Sequence, residues 1–260
     1  MTVAPGRATP ERDEMAAPSR EFLYGLNPAF ECIAAGRRRI YDAILNGATA
    51  DRGRLKKLHE VLQRHDIPVY FEDKGRLHQL CKSTEHQGAV LRVSPYPTVP
   101  LAEVLTAAPA RLLLLDNVED PHNVGAIVRS ADVFGFHHIL LPIKGVPQVY
   151  PSVAKVSAGA VEHLQIVQES NSNRYVAAAR EAGYHLAALD MKGSTTLADF
   201  AAAAPDKLLL VIGGEDRGVG QFILNQAETR LVIPQSGRVN SLNAGVAAAL
   251  TMYALQTGAA

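Results

Sequence analysis

The chain contains the run Leu112-Leu113-Leu114-Leu115 and the run Leu208-Leu209-Leu210-Val211-Ile212. Both runs are short and wholly apolar, which is typical of strands that a parallel sheet buries on both faces. Patterns typical of helices separate and follow them, most clearly at residues 124–134 and 241–255. Because strands that alternate with helices form parallel sheets covered by those helices, the chain from residue 110 onward is predicted to be an α/β domain.

Other short patterns complete this alternation and define a smaller unit in front of it. Beyond residue 110, strands are predicted at 138–141, 164–167, 184–189 and 231–233, and helices at 149–161 and 175–182. Residues 21–94 are predicted to form a small α/β unit, with helices at 27–46 and 54–65 and strands at 67–71 and 88–93. Prolines at positions 95, 97 and 100 predict a stiff linker, assigned to residues 95–109.

The composition argues against membrane-spanning and disulfide-stabilised proteins. No run of about 18 apolar residues is present, so no transmembrane span is predicted. Residues 1–20 lack an apolar centre and are predicted to be a disordered tail, not a secretory signal. Cys32 and Cys81 stand alone, which argues against a disulfide framework or a zinc site and favours the reducing cytoplasm.

The net charge gives little indication of nucleic-acid binding. The 26 basic and 26 acidic residues cancel, whereas nucleic-acid-binding domains are usually basic. Any contact with RNA must therefore come from local clusters, although a basic run on a helix is more often a solvated face. The candidates are Arg37, Arg38, Arg39, Arg52, Arg54, Lys56 and Lys57.

Three segments follow buried strands, where ligands bind in open parallel sheets. In the first, Asn123 can cap a helix, Gly125 allows close approach of another backbone, and Arg129 lies six residues after Asn123. In the second, residues 213–220 contain four glycines, which predicts a loop whose backbone is in close contact with a ligand or another part of the chain. This loop has neither the GxGxxG pattern after a first strand nor a Walker A lysine, so dinucleotide and P-loop sites are disfavoured.

The third segment follows the strand predicted at 231–233. Ser241 or Asn240 can cap the last helix, and Asn243 in its first turn can face a ligand. The small apolar residues 244–250 suit packing against another helix or another subunit. Taken singly, each of the three segments can also be explained as a helix cap, a turn or a core helix.

Taken together, the three segments resemble the motifs of the SpoU family of RNA ribose 2′-O-methyltransferases, in the SPOUT superfamily. The matching residues, in the family's order and spacing, are Asn123-x-Gly125-x-x-x-Arg129, Gly213-x-Glu215 with Gly218, and Ser241-Leu242-Asn243. A connecting segment is similar as well, namely Lys155-x-Ser157-x-Gly159-Ala160. The front unit, through Tyr24-Gly25 and His86-Gln87-Gly88, resembles the L30e-like RNA-binding domain of bacterial 23S rRNA guanosine 2′-O-methyltransferases.

The resemblance implies a trefoil-knotted, parallel-sheet SPOUT methyltransferase domain at 110–260, behind an L30e-like substrate-binding domain at 21–94. It implies a homodimer that uses S-adenosylmethionine, needs no metal and acts on RNA, here 23S rRNA. The cofactor-binding residues that it implies are Gly213, Ile233, Ser241 and Leu242. The catalytic residues that it implies are Asn123, Arg129, Glu215 and Asn243.

The family assigns Arg129 to activation of the ribose hydroxyl, which leaves two interpretations. Arg129 is either made partly neutral by its site, or stays charged, binds the phosphate next to the target ribose and stabilises the developing alkoxide. We favour the second because a guanidinium pKa lies above about 12.

Several other functions stay open at this stage. Within the resemblance, the alternatives are a tRNA ribose methyltransferase and an rRNA methyltransferase that confers antibiotic resistance. Outside the resemblance, one alternative is an RNA-binding assembly factor without turnover. Another is a nucleotide-dependent oxidoreductase, and the absence of a GxGxxG pattern after the first strand argues against it.

Overall fold

The computed structural model describes residues 20–238 and 241–257. The predicted tail, apart from Arg20, and the candidate cap Asn240 lie outside the described residues. Within those residues, no helix is long and apolar enough to cross a bilayer. The elements are β1 (Glu21–Tyr24), α1 (Leu26–Ala35), β2 (Ile40–Asn46), α2 (Gly53–Arg64), β3 (Val69–Glu72), α3 (Lys74–Cys81), β4 (Ala89–Val93), α4 (Leu101–Ala107), β5 (Arg111–Asp116), α5 (Pro121–Val133), β6 (His138–Leu140), α6 (Pro151–Val156), a 3₁₀ turn (Ala160–His163), β7 (Gln165–Val167), α7 (Ser172–Glu181), β8 (His185–Leu189), β9 (Thr195–Thr196), α8 (Leu197–Ala201), β10 (Leu208–Gly213), α9 (Gln221–Gln226), β11 (Thr229–Val232) and α10 (Ala244–Thr257).

The larger sheet confirms the predicted α/β architecture. Its seven strands run in the order β7-β6-β5-β10-β8-β11-β9, and every pair is parallel. Along β5, Leu113 and Leu115 enter one hydrophobic core while Leu112 and Leu114 enter the other. The apolar runs are therefore continuous because helices bury both faces of the central strands.

Helices cover the two faces of this sheet in two layers. Helices α5 and α10 contribute to the first core, and α4, α7 and α9 contribute to the second. A methyl group on Gly125 of α5 would lie 2.6 Å from Cβ of Val156, so this glycine lets α5 and α6 pack closely. The segment of α5 that carries Asn123, Gly125 and Arg129 is therefore packed directly against α6 and Ser157.

The smaller sheet has the order β1-β4-β2-β3 and mixed strand directions. The predicted helix at 27–46 is wrong beyond Ala35. Gly36 ends α1 with a left-handed φ of 62°, and the following residues form the largely buried strand β2. The predicted helix at 54–65 and the strands at 67–71 and 88–93 are confirmed as α2, β3 and β4.

Two other predictions need correction. The helix predicted at 149–161 ends at Val156, and Gly159 adopts a φ of 90° before the 3₁₀ turn. The predicted linker at 95–109 contains α4, whose Leu101 and Val104 are buried in the second core. The extended stretch therefore ends at Pro100, and the rest of that segment is part of the larger unit.

Basic residues predicted as RNA contacts instead join the two units. Arg38 is buried and pairs with Glu162 at 3.2 Å, while its Nε donates to the Ser94 carbonyl at 2.8 Å. Arg37 donates to the Leu164 carbonyl. Burial raises the pKa of Glu162, and Arg38 opposes that shift. Arg37 and Arg38 therefore fix the junction, whereas Arg39 stays exposed.

We predict that Arg38→Met lowers the free energy of unfolding by about 3–5 kcal/mol, because it leaves the Glu162 carboxylate buried without its partner. Urea unfolding followed by circular dichroism measures the loss. Arg39→Met, at the exposed neighbour, serves as the control and should change little. The double variant Arg38→Met/Glu162→Met should recover most of the stability, and an unrecovered loss would contradict this account.

Candidate active site

A cleft of about 640 Å³ opens at the carboxyl edge of the larger sheet. Its volume lies in the range of small-molecule sites, about 300–1,000 Å³. Its walls come from the loop after β8, the loop after β10, the segment after β11 and the start of α10. The lining residues include Asn117, Leu189, Asp190, Met191, Lys192, Ile212, Gly213, Glu215, Asp216, Arg230, Ile233, Ser241, Leu242 and Ala247.

The glycine-rich loop after β10 is packed against other backbone. A Cβ on Gly214 would collide with the carbonyl group of Asn117, and one on Gly213 would collide with the backbone of Gly218. The Gly218 amide donates to the Gly214 carbonyl at 2.9 Å, and Gly218 has a left-handed φ of 60°. The glycines are therefore required because the loop folds onto itself and onto the segment after β5.

A buried carboxylate, Asp116, anchors this loop. Its Oδ1 accepts from Ser172 Oγ at 2.6 Å, and its Oδ2 accepts from the Gly220 amide at 2.8 Å and from Asn117 Nδ2 at 3.2 Å. The three sequence motifs do not include Asp116. A charged residue directly after a buried strand was the available signal, because such a residue needs partners at the carboxyl edge.

Three predicted catalytic residues from three separate segments meet at the mouth of the cleft. Glu215 Oε1 accepts from Asn123 Nδ2 at 2.9 Å and from Asn243 Nδ2 at 2.6 Å, and the same Asn243 nitrogen lies 2.8 Å from Asn123 Oδ1. The Ala244 amide also lies 3.4 Å from Glu215 Oε1. We refer to Asn123, Glu215 and Asn243 as the amide cluster.

The helix caps differ from the predicted ones. Asn243 Oδ1 accepts from the amides of Gly245 and Val246 at 3.0 and 3.2 Å, so Asn243, and not Ser241, caps α10. Asp120, and not Asn123, caps α5 by accepting from the His122 amide at 2.9 Å. The Asn123 side chain is therefore available to the amide cluster.

The remaining predicted site residues fall into two groups. Gly213, Ile233, Ser241 and Leu242 all line the cleft. Arg129 does not line it and lies exposed on α5. Among residues 20–238 and 241–257, no hydrogen bond or ion pair involves its guanidinium.

The cleft combines apolar surface with charges of both signs, because Lys192, Arg217 and Arg230 line it as well as carboxylates. Leu189, Met191 and Ile233 provide apolar surface, and Asp190 and Asp216 provide carboxylates. The loop after β8, residues 190–192, carries no sequence pattern that predicts a role in the cleft. Within the part of the chain that the structure describes, no group of three metal-ligating side chains is close enough to hold a metal ion.

Comparisons with known proteins agree with this geometry. Residues 110–253 match the SpoU rRNA methylase family, and residues 22–99 match the substrate-binding domain of RNA 2′-O ribose methyltransferases. A TrmH family tRNA/rRNA methyltransferase of Bacillus subtilis, YacO, is 30% identical over 238 residues, which cover 90% of this chain and 94% of the relative.

Solved structures show the same fold. An RNA methyltransferase of the TrmH family from Porphyromonas gingivalis superposes with a TM-score of 0.70 at 26% identity, covering 91% of this chain and 89% of that chain. An AdoMet-bound rRNA methyltransferase from Sinorhizobium meliloti superposes with a TM-score of 0.76 at 20% identity, covering 92% and 87%.

The converging motif loops and the matches over both units lead to one identification: the chain belongs to the SpoU rRNA methylase family and carries the substrate-binding domain of RNA 2′-O ribose methyltransferases.

Proposed function

We propose that this protein transfers a methyl group from S-adenosylmethionine to a ribose 2′-hydroxyl of RNA, and that the target is a guanosine of 23S rRNA. The amide cluster carries the proposal. Asn123 and Glu215 are 92 positions apart in the sequence, and Asn243 follows Glu215 by 28 positions. All three nevertheless share hydrogen bonds beside a cleft of cofactor size. Hydrogen bonds that hold side chains from three distant segments in one geometry allow those side chains to position a reactant.

The cleft residues fit S-adenosylmethionine. Gly213, Ile233 and Leu242 would hold it largely through backbone groups, with Ser241 beside them. When bound, the cofactor supplies an already activated methyl group on a positively charged sulfur. The residues of the chain then have to align the acceptor, exclude water and stabilise charge on the acceptor oxygen.

The amide cluster positions the acceptor. Glu215 Oε1 holds the amide nitrogens of Asn123 and Asn243, so the orientation of both carboxamides is fixed. Asn243 is fixed a second time, because its oxygen caps α10. A ribose hydroxyl that reaches this cluster meets oriented donors and acceptors without any rearrangement of the site, which is the condition for efficient stabilisation of a transition state.

Arg129 acts on the RNA from a second copy of the chain. Large apolar side chains are exposed along one side of α10, at Val246, Leu250 and Tyr253, and just before the helix at Leu242. On the adjoining α5, Val133 is 63% exposed and lies four residues after Arg129, so the two share a face of the helix. We infer that this apolar face forms a homodimer interface, which presents Arg129 to the partner's cleft, where its charge binds phosphate and stabilises the developing alkoxide.

A ribosomal substrate is the favoured choice, and tRNA is the alternative. The family that the larger unit matches is named for rRNA, which supports rRNA, whereas the named relative is described for both tRNA and rRNA. The cytoplasmic location rests on the two isolated cysteines, Cys32 and Cys81, and stays a prediction, as does the trefoil knot.

We predict that the protein, incubated with methyl-labelled S-adenosylmethionine and unmodified 23S rRNA, labels a guanosine 2′-oxygen. Label on tRNA alone would select the alternative substrate. Absence of label on either RNA, together with no heat of S-adenosylmethionine binding in calorimetry, would instead favour an RNA-binding assembly factor without turnover.

We predict that Arg129→Ala and Glu215→Ala each lower methyl transfer by about 100-fold or more, because each removes a group that orients or stabilises the transition state. Arg129→Ala should leave cofactor affinity nearly unchanged, since Arg129 lies outside the cleft. Arg180→Ala, an exposed arginine of α7 that pairs with Glu228, is the control. Full activity of Arg129→Ala would remove Arg129 from the mechanism.

We predict that a mixture of the inactive Arg129→Ala and Glu215→Ala proteins regains about a quarter of the wild-type activity, because half of the symmetric dimers that form are mixed and each has one intact site. The variants are mixed after reversible dissociation, and methyl transfer is measured. No recovery, with mixed dimers verified by differential tagging, would place Arg129 in the site of its own chain.

A further inference from the structure

A second cleft, of about 400 Å³, lies where the two units meet. We refer to it as the junction cleft. The front unit supplies Tyr24, the end of α3 and the loop after it, and the larger unit supplies the first turn of α5 and the short helix α6. The lining residues are Tyr24, His78, Lys82, Ser83, Thr84, Glu85, Pro121, His122, Ser152, Lys155 and Val156.

The side chains that line the junction cleft suit an anion. Two lysines and two histidines, Lys82, Lys155, His78 and His122, face one carboxylate, Glu85. Hydroxyl groups of serine, threonine and tyrosine complete the wall. The first turn of the 13-residue helix α5 also lines the cleft, and the Asp120 carboxylate that caps α5 offsets part of the positive end of its dipole.

Lys155 is the central residue of this cleft. Its ammonium group packs beside Gly25, where an added Cβ would lie 3.0 Å from Nζ. Among the described residues, no carboxylate oxygen lies within 4.0 Å of Nζ. Burial lowers the pKa of Lys155, and the more distant Glu85 only partly offsets that effect. A half-buried ammonium without a paired carboxylate is costly unless an anion joins it.

Lys155 also brings together motifs that the amide cluster does not use. Gly25 has a φ of 98°, and the Leu26 amide after it donates to Gln87 Oε1 at 3.1 Å. Gln87 Oε1 also lies 3.4 Å from the Cβ position of Gly25. The Tyr24-Gly25, His86-Gln87-Gly88 and Lys155-x-Ser157 segments therefore converge on one point beside the junction cleft.

The junction cleft and the amide cluster use adjacent residues in the first turn of α5. His122 lines the cleft, and Asn123, the next residue, belongs to the amide cluster. A chain with regularly spaced negative charges that enters the junction cleft therefore reaches the reacting groups within one turn of α5. RNA backbone has this spacing of charges, and phosphate contacts typically set the register of a bound nucleic acid.

We propose that the junction cleft binds the backbone phosphates next to the methylated nucleotide, with Lys155 and Lys82 as the phosphate contacts. This proposal rests on the proposed function, since it takes RNA as the ligand. The two lysines come from different units, so the RNA backbone bridges the units and sets which nucleotide reaches the amide cluster.

The test measures binding of an in vitro transcribed 23S rRNA as a function of salt for the wild type, Lys155→Gln and Lys82→Gln. Each variant should weaken binding and reduce the slope of log K against log salt by about one, which is the signature of one lost phosphate contact. Lys207→Gln is the matched control, because Lys207 directly precedes β10 at the opposite edge of the sheet and contacts Tyr184.

The outcomes separate this proposal from the proposed function. An unchanged slope of log K against log salt in both variants would overturn the proposal that the junction cleft binds phosphates, even if the wild type methylates RNA. A reduced slope would uphold it, even if the wild type transfers no methyl group. Lys155→Arg, which keeps the charge, should restore the slope, and melting temperatures verify that the variants are folded. Weaker binding with an unchanged slope would assign Lys155 a structural role instead and contradict the proposal.

Discussion

The site depends on one backbone contact, between the glycine loop after β10 and the segment after β5. Gly214 lies so close to the Asn117 carbonyl that no side chain fits between them, and Asp116 ties the far end of the loop at the Gly220 amide. This contact places Glu215 beside Asn123, because the residue after Gly214 cannot move independently of the segment that leads into α5. The same packing therefore positions both the glycine loop that lines the cleft and the amide cluster.

The sequence predicted the larger unit well, because its strands are buried on both faces and its helices on one. Such burial leaves apolar runs, as at Leu112–Leu115, that few other structures require. The front unit was harder to predict. Apolar residues at 30, 33, 40 and 44 fit a helical period, but Gly36 breaks the helix and β2 begins four residues later. Periodicity does not detect such a break when the apolar residues of the strand continue the helical spacing.

The candidate site was only partly predictable, for a different reason. Motif spacing selected Asn123, Glu215 and Asn243, which the structure brings together. It could not show that Asn243 is also the cap of α10, that Asp116 holds the loop, or that Arg129 lies outside its own cleft. These are properties of the three-dimensional packing, and no pattern within one segment encodes them. The basic cluster at 37–39 shows the same limit, since Arg38 is a buried junction residue.

Leu242 belongs to two surfaces at once. It lines the cleft, and it begins the exposed apolar side of α10. Any ligand that fixes this residue in the cleft also fixes the edge of the surface on which a second copy would pack. If the proposed dimer forms through this surface and occupancy of the cleft strengthens it, thermodynamic linkage requires that separation of the two copies weakens the affinity for the small molecule by the same factor.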